Sequence, residues 1–303
     1  MIQDSKNNDI HVYLYQPLTN PIGIVQIVHG ASEHFARYGL FAQFLANHGF
    51  IVIGNDILGH GLSTSNLNYV HFDDKIGSSL AYESLVLVKQ WMEKNYGHIP
   101  HYIIGHSMGS FLARNMVLDF PKSYEKAVFS GSAAPPLMLL RFGKFLTQLI
   151  GLFKGQKHVS KLIQNMAIDA NPNRMMKDKI IDTNEAWLTR DKAIQDYYKH
   201  SPMCGQPFTV SANRDMFDWI IKSNQKKRIK RGNHYLPMIF LSGDHDPLSD
   251  YGNQIVTLIN QLKKFGYQDV QYKLYNEARH EILNELNKDE VYMDILNFLK
   301  SNK

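Results

Sequence analysis

Tyr102-Ile103-Ile104-Gly105-His106-Ser107-Met108-Gly109-Ser110-Phe111-Leu112 decides how the rest of this 303-residue chain is read. A short apolar run of strand character leads into Gly105-His106-Ser107-Met108-Gly109, and residues 111–118 continue with helical character. Strand, tight turn and helix form the setting that a G-x-S-x-G nucleophile elbow requires. Such a turn holds the central serine in a strained backbone conformation, and side chains two positions away would strike neighbouring backbone, which explains Gly105 and Gly109. The strain lifts the Ser107 hydroxyl clear of the sheet. It also aims the following helix N-terminus at any negative charge that forms beside the hydroxyl.

Outward from this stretch, strands alternate with helices. Residues 11–18 and 23–28 read as strands joined around Thr19-Asn20-Pro21, followed by His29-Gly30-Ala31-Ser32-Glu33-His34 and a helix at 38–47. Residues 49–54 form a continuous apolar strand that runs into the loop 55–63. A helix at 79–95, a strand at 99–104, the elbow, a helix at 111–119 and a strand at 126–131 follow. The alternation then stops. Residues 134–235 show irregular helical patterns, after which come strands at 236–241 and 270–275 and helices at 252–265 and 289–299. This order predicts an α/β fold with a mostly parallel, doubly wound sheet. Residues 1–133 and 236–303 form its body, and 134–235 form an inserted helical lid above the carboxyl ends of the strands.

Composition agrees with one large domain carrying an insertion. The single cysteine, Cys204, rules out an internal disulfide, suits a reducing compartment, here read as cytoplasmic, and reads as a small buried apolar residue. The most apolar window, residues 137–153, is broken by Arg141, Lys144 and Gln148 and is too short to cross a bilayer. No phosphate-binding glycine motif, no H-E-x-x-H and no cysteine cluster occurs, so no cofactor, metal or nucleic-acid partner is expected.

A serine nucleophile needs a base, and the base needs a third group to hold its tautomer. The chain offers an acid and then a histidine after Ser107, each beyond a predicted strand: Asp244 or Asp246 after 236–241, and His280 after 270–275. His106 is expected to pack or bond locally, and His245 to be a turn residue. A tetrahedral intermediate also needs preorganised N–H donors. Met108, just after the nucleophile, is one candidate, and the His29-Gly30-Ala31-Ser32 loop supplies the other through Ala31.

Five ordered motifs give this pattern a resemblance. His29-Gly30-Ala31-Ser32-Glu33-His34 with Arg37-Tyr38, Asp56 with Gly59-His60-Gly61-Leu62-Ser63, and Gly105-His106-Ser107-Met108-Gly109 resemble segments of the monoacylglycerol lipases and bacterial lysophospholipase-like proteins. These are α/β-hydrolases of the serine aminopeptidase S33 type. Gly243-Asp244-His245-Asp246 and Ala278-Arg279-His280-Glu281 complete the set. Leu58, where many relatives carry arginine, departs from the pattern, and 134–235 matches no motif. The resemblance places the acid on Asp246. It implies a serine hydrolase of carboxylic esters that works through an acyl-enzyme on monoacylglycerol or lysophospholipid-like substrates, with Ser107, Asp246 and His280 catalytic. A small-peptide aminopeptidase on the same fold and a non-catalytic binding protein are the alternatives.

The insertion bears on substrate. The apolar residues of 137–153 are expected to pack the lid onto the body, to face an acyl-chain site, or both. Residues 134–235 hold 18 basic and 8 acidic residues, the basic ones densest at Lys226-Lys227-Arg228-Ile229-Lys230-Arg231. That run reads as a solvated hinge, or as a surface for transient contact with anionic membranes.

Overall fold

In the computed structural model, which describes residues 1–301, the strand leading to Ser107 is the middle one of a seven-stranded sheet. Two short strands, β1 (Ile2–Gln3) and β2 (Asp9–Ile10), pair antiparallel outside it. The body then runs β3 (Val12–Tyr15), β4 (Gly23–Val28), α1 (Gly39–Asn47), β5 (Phe50–Asn55), α2 (Gly77–Tyr96), β6 (His101–His106), α3 (Met108–Asp119) and β7 (Lys126–Ser130). The segment after β7 carries α4 (Leu137–Lys154), α5 (Lys161–Gln164), α6 (Ala170–Lys177), α7 (Lys192–His200), α8 (Val210–Ser223) and α9 (Lys226–Ile229). The body resumes with β8 (Met238–Gly243), α10 (Asn253–Lys264), β9 (Val270–Tyr275) and α11 (Lys288–Lys300).

The strand order is β3-β5-β4-β6-β7-β8-β9, parallel throughout except at the edge strand β3. β3 and β4 read as a turn-linked pair in sequence, yet β5 lies between them and β3 runs antiparallel to it. β4 through β8 are buried along their whole length, because helices cover both faces. Alternate side chains of β6 feed the two cores: Ile103 joins the one with α2, α3 and α8, and Tyr102 and Ile104 join the one with α1 and α11. The chain turns to opposite sides of β4, first to β5 and then to β6. Open α/β sheets bind ligands in the crevice at the carboxyl ends of strands flanking such a reversal, and the 29–32 loop and Ser107 both lie there.

Helix α4 meets expectation only in part, with Leu137, Leu140, Leu146 and Ile150 packed on the core and Leu139 and Leu140 bordering the cavity. Its buried residues are Leu140, Gly143, Thr147 and Gly151, a mostly small stripe packed on α8. Met138, Phe142, Phe145, Leu149, Leu152 and Phe153 are exposed, Met138 at 80% and Phe153 at 77%. Most of the bulky residues of 137–153 therefore neither pack the segment down nor face inward. In the basic run, Arg228 bonds Asn115 and Asp119 of α3, while Lys226, Lys227, Lys230 and Arg231 are exposed. No helix among the described residues is long and apolar enough to cross a membrane.

Candidate active site

Ser107 sits between β6 and α3 with φ 51° and ψ −120°, a conformation a side-chain-bearing residue adopts only under constraint. The constraint is the tightness of the turn. A Cβ on Gly109 would strike the carbonyl oxygens of Val28 and His29, so α3 can start this close to β4 only with glycine there. The Ser107 N–H donates to Ser130 O at 2.9 Å, and the Ser110 hydroxyl donates to Ser107 O at 2.7 Å. These bonds fix both sides of the turn.

The structure brings Ser107, His280 and Asp246 together. His280 Nε2 lies 2.9 Å from Ser107 Oγ, and its Nδ1 lies 3.0 Å from Asp246 Oδ2. Asp246 is fully buried and also accepts from the Leu248 N–H at 2.9 Å and from the Ser242 hydroxyl at 3.3 Å. Asp244, the other acid considered, is spent on His245 Nδ1 at 2.6 Å on a half-exposed turn. Burial alone would pull the His280 pKa down, but the facing Asp246 carboxylate outweighs it and raises the value above the ordinary 6.5. The His106 ring lies 4.8 Å from that of His280 and bonds Ser130 Oγ at 3.1 Å. Burial, and then the charge of His280, lower its pKa to about 4. Of these two rings, His280 is the more readily protonated.

Ala31 and Met108 border the same cavity as Ser107, and among the described residues neither backbone N–H donates to a protein atom. Two buried histidines hold the Ala31 loop. The Ile57 N–H donates to His29 Nε2 at 2.9 Å, which leaves the proton on Nδ1 to be donated to Gly30 O at 2.8 Å. The Ser32 N–H donates to His60 Nε2 at 3.3 Å, and burial lowers the His60 pKa to about 3, keeping it an acceptor. Ser32 itself has φ 55° and is gripped from the insertion, where its hydroxyl donates to Gln206 O and its carbonyl accepts from the Gly205 N–H.

A buried ion cluster, to which the sequence reading assigned no role, ties this loop to the histidine loop. Arg37 makes a bidentate pair with Glu281 at 2.7 and 2.6 Å and bonds Glu33 at 2.5 Å, all three side chains being at most 4% exposed. Glu33 also accepts from the Gly30 N–H and the Tyr38 hydroxyl, each at 2.6 Å. Burial would raise the Glu33 pKa, but Arg37 above all holds it down at about 2. Arg37 further stacks over the Tyr198 ring of α7 at 5.0 Å. Glu33 and Arg37, four residues apart, stand in a motif already noted, but Glu281 joins them from 244 residues away. A second support is a strap from the insertion. Trp187 stacks on His280 with ring centres 4.6 Å apart, and the backbone carbonyls of Trp187 and Leu188 accept from the His280 and Glu281 N–H groups. No motif in the sequence marked Trp187.

Above Ser107 lies a cavity of about 360 Å³. Its floor is the elbow and the Ala31 loop, and its walls are mainly apolar side chains from α3, α4 and α8 together with residues 166–168. Cys204 is buried nearby, and desolvation pushes its thiol pKa up to about 11, which makes it a poor nucleophile at neutral pH.

The architecture is shared with solved structures. A thermostable carboxyl esterase from Bacillus coagulans superposes with a TM-score of 0.88 at 23% identity, covering 98% of this chain and 96% of that one. Among sequence relatives, the monoglyceride lipase of Homo sapiens is 26% identical over 90% of this chain and 80% of its own. The monoacylglycerol lipase of Mycolicibacterium smegmatis is 23% identical over 95% and 91%. Residues 19–287 match the family model described as serine aminopeptidase, S33, and the chain belongs to that family.

Proposed function

We propose that this protein is a serine hydrolase of carboxylic esters with lipid-like acyl groups, monoacylglycerols and lysophospholipid-like esters foremost. The observation that carries this reading is the unbroken line from Ser107 Oγ through His280 to Asp246 at the floor of an apolar cavity. Ser107 Oγ attacks the ester carbonyl carbon while His280 Nε2 takes its proton. Asp246 keeps the proton on Nδ1 and stabilises the imidazolium. The carbonyl oxygen becomes an oxyanion held by the Ala31 and Met108 N–H groups. Collapse of the intermediate breaks the ester C–O bond, and His280 protonates the departing alcohol. Water, deprotonated by His280, then releases the acid and restores Ser107. Residues 134–235 act in this reading as the lid that encloses the acyl chain.

The family description and two glutamates bordering the cavity, Glu33 and Glu281, favour a second reading, an aminopeptidase that grips a substrate ammonium. Both carboxylates are already engaged by Arg37, and Glu33 also accepts from the Tyr38 hydroxyl and the Gly30 N–H, so the oxygens an ammonium would need are occupied. A free ammonium would have to displace a buried bidentate guanidinium, which costs more than it returns. The ester reading therefore stands ahead.

The exposed, mainly apolar part of α4 carries Arg141 and Lys154 and no acidic residue, Lys144 being paired with Asp218 of α8, within a segment having 10 more basic than acidic residues. That combination fits transient contact with an anionic lipid surface. The lone cysteine fits a cytoplasmic setting. Comparing kcat/KM on p-nitrophenyl esters, monoacylglycerol, a lysophospholipid and aminoacyl anilides tests the proposal. Preference for anilides with a free amino group over every ester would overturn it.

A further inference from the structure

The cavity above Ser107 is bordered by Leu139, Leu140 and Gly143 of α4 and by Met216, Phe217 and Ile220 of α8. Gly143 lies in the interior of an 18-residue helix, a position where glycine is destabilising relative to alanine. Its φ is not left-handed, so the backbone does not require it. Space does. A Cβ on Gly143 would meet Cε2 and Cζ of the Phe217 ring at 3.1 Å, tighter than nine in ten such contacts, so the ring would have to give by a few tenths of an ångström. Gly151, on the same stripe, answers to Gln156 and not to the cavity. Phe217 is 6% exposed and borders the cavity, so the ring is held between the α4 backbone and the space above Ser107. Because Phe217 borders the cavity, displacing its ring from Gly143 alters the outline of that cavity.

We infer that the contact of Phe217 with Gly143 sets the acyl-chain length this cavity accepts. The inference rests on the ester-hydrolase reading and names a determinant of its substrate. Gly143 lets the ring lie back against α4 and keeps the passage open. Any larger residue at 143 drives the ring forward and shortens it, and a smaller residue at 217 lengthens it. One misfit methylene in an apolar pocket changes kcat/KM by roughly tenfold or more.

The test measures kcat/KM for p-nitrophenyl esters from acetate to palmitate on the wild type, Gly143→Ala, Phe217→Leu and Phe217→Ala. Gly143→Ala should lower the ratio of long-chain to short-chain kcat/KM by about tenfold, and Phe217→Ala should raise it by a similar factor. Phe217→Leu should move it the same way by less, and serves if the alanine variant fails to fold. If the wild type cleaves esters but Gly143→Ala and the folded position-217 variants keep its chain-length profile, the inference is wrong and the ester reading survives. A wild type that cleaves no ester of any length overturns both.

Discussion

Helices α3 and α4 are both rich in apolar residues, yet the structure treats them in opposite ways. In α3 the residues from Met108 to Val117 are all buried, Arg114 and Asn115 included, because the sheet lies on one side and α8 on the other. In α4 only Leu140 and a stripe of small residues are fully buried and Leu137, Leu146 and Ile150 partly so, since α8 covers one side and bulky residues on the others stay exposed. Apolar composition thus measures how much surface a helix has to hide, and the number of layers around it decides where that surface goes. In the body the layers are complete, so side chains are locked in the geometry that the proposed proton relay needs. In the insertion the layer is single, so a large apolar face stays available and the close α4–α8 approach becomes a boundary of the cavity.

If chemistry resides in the locked body, the largest effect of any single change should fall at its elbow. Ser107→Ala should lower kcat by about 10^4-fold or more, with thermal stability little altered. Near-normal turnover in that variant would break the division outright. Next in size is the ion cluster that joins the two site loops. Arg37→Met leaves Glu33 and Glu281 buried without their cation, and should cost about 3–5 kcal/mol in urea unfolding. Arg37→Lys should recover part of it, since lysine restores the charge but not the fork. A loss below ~1 kcal/mol would mean the cluster is better solvated than its geometry shows.

The proton balance sharpens the same comparison. In the proposed relay His280 must be neutral to accept the serine proton, and Asp246 raises its pKa against the opposing effect of burial. On the acid side kcat/KM should therefore fall about tenfold per pH unit below a midpoint above 6.5. A midpoint well below that value would show that desolvation dominates over Asp246. The smallest effect belongs to the insertion. Replacing Leu152 and Phe153 with serine should reduce activity on anionic vesicles, relative to a dissolved short-chain ester, by about three- to tenfold. An unchanged ratio would leave the α4 face without a lipid role.

Much of the body was legible because its signals are local. Strands β4 to β8, buried on both faces, read mostly as apolar runs, and β9, only partly buried, still coincides with the predicted 270–275. Others shifted by a residue or two, as with 99–104 against β6 at His101–His106, because strand ends are set by pairing partners and not by apolarity. The placement of β3 beyond β5 was hidden for the same reason. A turn between two strands does not say whether they pair, and the β1–β2 pair is too short to show periodicity. The choice of Asp246 over Asp244 came from resemblance. The distances now supply a physical account, with one carboxylate against His280 Nδ1 and the other on a solvent-facing turn.

From residue order alone came the alternating α/β plan, the strained turn at Ser107 and the succession of acid and histidine after it, since each depends on neighbours in the chain. Contacts between distant positions were decided only on folding. They are the Arg37 grip on Glu281, the Trp187 stack on His280, the outward turn of the bulky α4 residues and the seat of Phe217 against Gly143. Each joins segments whose separation along the polypeptide carries no signal of proximity, because burial and close packing are properties of the assembled layers and not of any stretch within them.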